Sequence, residues 1–328
     1  MFKSNFLTGI PTWIVVGAVL TEMAALPAQQ QSRADHGKAE AVQVQMHNVM
    51  YHYANDIAVH INRLAGELVP TKGEMPIFDD KNSFTLHMAA AEMAITPEAL
   101  ANVLNQYVFA SKDAPIKDVS VSIEKDRLKI KGKLHSKGDI SFETESTLSV
   151  TPDGKIRLHA KKVKALHLPV KGFMDLFGIK IADLIKTGKV RGVTADKDDL
   201  ILDPEQALPP PHISGRVTQV YLQGNSIVQV FGSPASYKWI RVPAQNYMAY
   251  RGNRLKFGKL TMEKTDMVLI DPDPRDPFDF YLDHYKDQLV AGYTKTTPAF
   301  GLRVFMVDYN KLKREGAKKK AATAAGKN

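Results

Sequence analysis

At 328 residues, 44% hydrophobic and 24% charged, the chain has the composition of a globular protein and is long enough for one large core or two ordinary ones. It has no Cys, which excludes thiol catalysis, disulfides and a lipoprotein-type signal. The net charge of +9 is unevenly placed: seven Lys or Arg against one Glu between Lys311 and Asn328 leave +6 there, so basicity belongs to the tail and not to the folded body.

The N-terminus opens with Lys3, an apolar run from Ile10 to Leu20, the small-residue stretch Ala24-Ala25-Leu26-Pro27-Ala28 and a Gln-rich start. A short basic region, a short apolar core and a small residue before polar sequence describe an export signal, with cleavage expected after Ala28. Pro11 and Glu22 are atypical of such a signal, and an uncleaved N-terminal anchor is the alternative for residues 1–28. No later segment approaches ~18 consecutive apolar residues, so the rest of the chain is not expected to cross a membrane.

Residues 29–45 read as a linker. Met46–Val69 fits both a helix and alternating strands; β-branched residues and the breakers Gly66 and Pro70 favour strand for Ile57–Val69. Ser83–Met88 is a short strand. Thr96-Pro97-Glu98 then starts a helix, with Thr as cap, Pro at the first helical position and Glu at the positive end. Leu100, Val103, Leu104, Tyr107 and Val108 form its apolar stripe.

From Val119 to Leu168 apolar and polar residues alternate with a period of two, which predicts a meander with one apolar face. Val170–Lys186 follows as an amphipathic helix, with Phe173, Met174, Phe177 and Ile181 on one face. Leu200–Leu202 is a strand and Pro209-Pro210-Pro211 a stiff spacer. Strands are expected over Ile213–Leu222, Ile227–Phe231, Tyr247–Tyr250, Leu255–Met262 and Met267–Ile270, with hairpin turns at Gly224-Asn225 and Gly252-Asn253. Tyr281–Ala291 reads as a helix and Leu302–Val307 as a last strand.

Signals of chemistry are sparse. Four Asp between Asp271 and Asp279 form the densest carboxylate cluster, but the interleaved Pro residues hold the backbone extended, and a rigid Asp-Pro corner with Arg275 pairing locally is the expectation. The ten His are scattered without metal-ligand spacing, so no metal and no cofactor is expected. No nucleophile elbow, Walker loop or dinucleotide fingerprint is present, and no catalytic residue is assigned. The Lys-rich stretch Lys125–Lys137 reads as the wet face of a half-buried sheet, without the exposed aromatics of an RNA-binding sheet; no nucleic-acid partner is expected.

The order of Phe84–Asn105, the strands Val119–Leu168 and the Leu168–Met174 helix start resembles the tubular lipid-binding (TULIP) superfamily, in particular its small bacterial envelope members. That resemblance implies an α+β fold: a strongly curved antiparallel β-sheet wrapped around amphipathic helices, with an apolar groove and here a β-rich C-terminal extension. It divides the chain into a curved-sheet plus helix lipid-binding-like domain over 46–222, a β-rich continuation on the same domain over 223–310 and a basic disordered tail over 311–328. The expected function is non-enzymatic binding, with transfer as an extension of it, of a lipid or other long apolar ligand in the periplasm or cell envelope. Leu100, Val103, Leu104, Tyr107, Val108, Phe173, Met174, Phe177 and Ile181 would line the groove, and the tail could touch anionic membrane. An envelope structural or adaptor protein using its β face as an interface is the alternative, and an unrecognised hydrolase the third reading.

Overall fold

Three long strands open the fold: β1 (Val42–Ala54), β2 (Ile57–Pro70) and β3 (Phe84–Ile95), paired as an antiparallel meander. Each buries one face, as the alternation of apolar residues requires. In β1 the buried set is Val42, Val44 and Met46, then shifts by one position to Val49, Tyr51 and Tyr53. Asn48 lies between the two sets with φ of 52°, a left-handed conformation that Asn tolerates better than most residues. Its side chain is fixed on both sides, with Nδ2 donating to Asn246 Oδ1 at 2.7 Å and Oδ1 facing His60 Nε2 at 2.9 Å.

The computed structural model describes residues 41–135, 139–165 and 190–316, all in one unit spanning Ala39–Asn328. After β3 comes α1 (Pro97–Val103), capped by Thr96, whose Oγ1 accepts the Ala99 N–H at 3.1 Å. A single π turn, Leu104–Val108, extends it. Asn105 binds the backbone N–H and C=O of Val119, both at 2.8 Å, tying this turn to the next strand.

A second sheet follows, from β4 (Ile116–Glu124), β5 (Arg127–His135), β6 (Asp139–Val150), β7 (Ile156–Ala165), β8 (Val193–Asp196) and β9 (Asp199–Leu202). It is antiparallel throughout, in the order β4-β5-β6-β7-β9-β8. Leu128, Ile130, Leu134, Ile156 and Leu158 are buried, and the opposite face carries ion pairs such as Lys133–Asp118 at 2.7 Å and Arg127–Glu145 at 3.1 Å. The Lys-rich stretch thus forms the wet face its alternation predicts.

The chain then returns to the first sheet. A one-turn helix α2 (Pro204–Ala207) leads to β10 (His212–Ser214) beside β3, and the hairpin β11 (Val217–Gln223) and β12 (Ser226–Gly232) joins β3 as well. Beyond it lie β13 (Tyr247–Gly252), the small hairpin β14 (Leu255–Phe257) and β15 (Leu260–Met262), β16 (Thr265–Ile270) and β17 (Phe278–Tyr281). A 3-10 turn, Leu282–His284, precedes α3 (Tyr285–Val290), β18 (Tyr293–Thr296) and β19 (Leu302–Phe305). The sheet order is β11-β12-β3-β2-β1-β13-β16-β19-β18, with β17 beside the far end of β1. Parallel pairs β1–β17, β3–β10 and β16–β19 make it a mixed sheet.

This corrects the expected fold. The chain does not form a strongly curved antiparallel sheet wrapped around amphipathic helices; it forms large open sheets, one of them mixed, and the described helices are short. The physical reason lies in residues 42–70, whose apolar alternation is spent on two long paired strands that need other strands as neighbours. β1 begins at Val42, inside the span expected to be a linker, and the Asn55-Asp56 turn closes the hairpin that made Met46–Val69 ambiguous. The boundary expected at 222/223 falls within the β11–β12 hairpin, and Gly252-Asn253 is a corner: β13 pairs with β16, across the β14–β15 insertion. Residues 309–316 are helical, which corrects the disorder expected from Lys311 on; the remainder of that tail, 317–328, lies outside the described residues. No helix among the described residues is long and apolar enough to cross a membrane.

Candidate functional site

The inner face of β1, β2, β3 and β13 is roofed by the loop between β2 and β3. Phe78 anchors that loop. Its ring meets Phe257 at 4.9 Å, Tyr285 at 5.5 Å and Tyr250 at 5.6 Å, while its N–H donates to the carbonyl of Lys256 at 2.8 Å. Between sheet and roof lies a narrow apolar seam whose free volume is about 30 Å³, so a guest larger than a water or two enters only as the wall repacks. Met46, Met88, Met93 and Met248 supply much of its wall. Unbranched thioethers fill irregular gaps and repack at little cost, so a wall rich in Met yields to a guest more readily than one of Leu and Ile.

Tyr51, Tyr53 and Tyr250 also line the seam, each at least 93% buried. Tyr51 and Tyr53 stand two apart on one strand and therefore on one face, their rings 5.1 Å apart and edge-on. None of the three hydroxyls has a hydrogen-bond partner among the described residues, whereas Tyr247 reaches Gln45 and Tyr285 reaches Asp79. Burial raises all three phenols well above their ordinary value, and Tyr53, Tyr250 and Asp283 add to the rise at Tyr51. They are neutral at any physiological pH. The seam thus combines an apolar, adaptable wall with three O–H donors.

A second group of polar residues stands at the Asp-Pro corner. Arg275 forks onto Asp273 at 2.6 and 2.8 Å, the local pair expected from the sequence, and holds that carboxyl down at about 2. Asp271, Asp276 and Asp308 bring one oxygen each within 4.8 Å of one another. Three oxygens fall short of the roughly six to eight a calcium ion takes. Asp271 and Asp308 are moreover already engaged, with Asn246 Nδ2 donating to Asp271 at 3.1 Å and the Asp279 N–H donating to Asp308 at 2.9 Å. Asp279 in turn faces His52 Nε2 at 2.5 Å and accepts the Asn310 N–H at 3.0 Å, docking the C-terminal segment. Elsewhere Ser214 Oγ and His87 Nδ1 lie 2.6 Å apart on exposed positions, and His87 meets no carboxylate among the described residues.

The expected groove residues are placed otherwise. Val103, Leu104 and Val108 are buried in the main core, Leu100 packs against that core, and Tyr107 is partly exposed; none of the five lines the seam. Phe173, Met174, Phe177 and Ile181 lie outside the described residues. The tyrosines and methionines of the seam were not singled out from the sequence. The alternation at Tyr51 and Tyr53 was the available signal, within Met46–Val69, a stretch that fits a helix as well as alternating strands.

The fold and site define a mixed-sheet β protein with an apolar, tyrosine-bearing seam. Comparison with known families, curated proteins and solved structures finds no match.

Proposed function

We propose that the protein is a non-enzymatic binder of a slender apolar ligand, such as an acyl chain, carrying at least one hydrogen-bond acceptor, held in the seam beneath Phe78. The observation that carries this reading is the set of three neutral hydroxyls, at Tyr51, Tyr53 and Tyr250, that line the seam without a hydrogen-bond partner among the described residues. Each hydroxyl is a donor that a carbonyl, ester or carboxyl oxygen of a guest would satisfy. The Met-rich wall supports accommodation of chains of varied shape. The signal-like N-terminus and basic tail support the cell envelope as its setting.

Two measurements test this together: native mass spectrometry of protein purified from its own envelope, and titration with a fluorescent fatty acid. Tyr250→Phe and Tyr53→Phe should each weaken uptake by about tenfold while leaving the melting temperature unchanged or raised, because they remove an unpaired hydroxyl from apolar surroundings. A wild-type protein that takes up no probe, or phenylalanine variants that lose stability and bind as before, would overturn the reading.

The adaptor reading has one observation in its favour. Val290 and Phe300, 85% and 92% exposed, flank the edge strand β18, whose four residues are all exposed. Apolar side chains beside an unpaired strand edge favour contact with another surface.

A further inference from the structure

The outer face of the first sheet carries a second feature, on the side opposite the seam. Residues 233–246, between β12 and β13, cross this face as a strap. Gln45, itself buried, pins it: Nε2 donates to the Ile240 carbonyl at 2.7 Å, and Oε1 accepts the Ile240 N–H at 3.0 Å. Beside the strap lies an open hollow of about 330 Å³. Trp239 forms one wall, fixed by its indole N–H donating to the Pro234 carbonyl at 3.1 Å and by an edge contact with Tyr237 at 5.0 Å. His47 stacks on Tyr247 at 5.9 Å and 17° to make another flat wall.

The hollow is cationic. Arg63 and Arg241 both line it, and no carboxylate does. Arg63 sits 5.7 Å from the centroid of the Trp239 ring and is held there by Glu92 at 3.1 Å. Arg241 is exposed and has no ionic or hydrogen-bonding partner among the described residues. A guanidinium presents a planar fork suited to carboxylate and phosphate, and an indole or imidazole face suits a flat ring. His47 Nδ1 lies 2.6 Å from the Gln245 carbonyl and donates to it, which leaves Nε2 as the nitrogen free to meet a guest.

From this geometry we infer that the hollow is a binding site for a small anion carried on a flat ring, an aromatic or heteroaromatic phosphate or carboxylate. The ring lies against Trp239 or the His47–Tyr247 stack, and the anion pairs with Arg241, with Arg63 as the second cation. The site is independent of the seam, since Gln45, His47, Arg63 and Tyr247 point from the other face of the same strands and its remaining residues belong to the strap.

Trp239 provides a reporter. The chain has two tryptophans, so Trp13→Phe isolates the signal of Trp239 in the otherwise intact protein. Phenyl phosphate is the probe, with inorganic phosphate and phenol as its two halves. Phenyl phosphate should change the fluorescence saturably and bind at least about tenfold more tightly than either half. Arg241→Gln should weaken it by about tenfold or more with an unchanged melting temperature, because that side chain has no partner to lose. Tyr250→Phe, on the seam side, should leave it unaffected. Absence of a saturable response, inorganic phosphate or phenol binding as well as phenyl phosphate, or an Arg241→Gln variant that binds like the parent would each overturn the inference.

Discussion

Asp308 shows how a single buried carboxyl sets the response of the fold to pH. Burial raises it to about 6, the negative charges of Asp271, Asp276 and Asp279 add to the rise, and the Asp279 N–H opposes it. The unfolded chain protonates the same group near its ordinary value of about 3.9. Between those values the folded state holds the extra proton, so stability rises as pH falls through 6 and is lost as pH rises again, by an amount on the order of 2 kcal/mol. Asp273, held down by Arg275, acts the other way, but only below the ordinary carboxylate range. Asp308→Asn keeps an acceptor for the Asp279 N–H and removes the charge. Its melting temperature should exceed that of the wild type at about pH 7.5, and the gap should close by about pH 4.5. Thermal melts across that range, with a gap that stays constant, would refute the assignment. The sequence shows the Asp cluster and the Arg275 pair plainly; it does not show Asp308, which joins from 29 residues beyond Asp279.

Among elements, those with a local cause were legible and those made by distant pairing were not. Thr96-Pro97-Glu98 announced α1, and the alternation from Val119 announced β4 to β7, because caps and a period of two are written within a few residues. β10 and β17 are only three and four residues long and exist because the longer and distant strands β3 and β1 offer them an edge; β8 and β18, four residues each, pair with equally short neighbours, β9 and β19. Glycines separate the two kinds of constraint. Gly232 has φ of 58° where β12 ends, and a Cβ there would run into the carbonyl oxygen of Ala89 on the neighbouring strand. Gly73 has φ of 75° with nothing within 4 Å of the same position. Gly73→Ala should therefore cost only the left-handed penalty of roughly 1–2 kcal/mol. Gly232→Ala should cost more than about 3 kcal/mol, since backbone on both strands must move as well. Urea denaturation of the two variants measures the difference; equal losses would mean that the β3–β12 pairing is looser than described.

For the molecule as a whole, β1 is the organising strand, and its neighbours explain why the fold could not be read from local pattern. One edge pairs with β2, which follows at once; the other pairs with β13 and β17, whose residues 247–252 and 278–281 come some two hundred positions later. The switch between these two partners falls at Asn48. This arrangement has a kinetic meaning. A strand whose second edge is completed only by the last quarter of the chain cannot reach its native pairing while the ribosome is still making that quarter, and closure over so long a loop is slow. The nascent chain should stay open and extended through most of its synthesis, a state a translocation channel can thread, and an exposed β1–β2 hairpin would be an aggregation hazard without a holding chaperone. Refolding from urea should accordingly take from milliseconds to seconds or longer, and a chain truncated after Gly232 should remain protease-sensitive. Rapid acquisition of protease resistance by that truncated chain would show that β1 can settle before its later partners arrive.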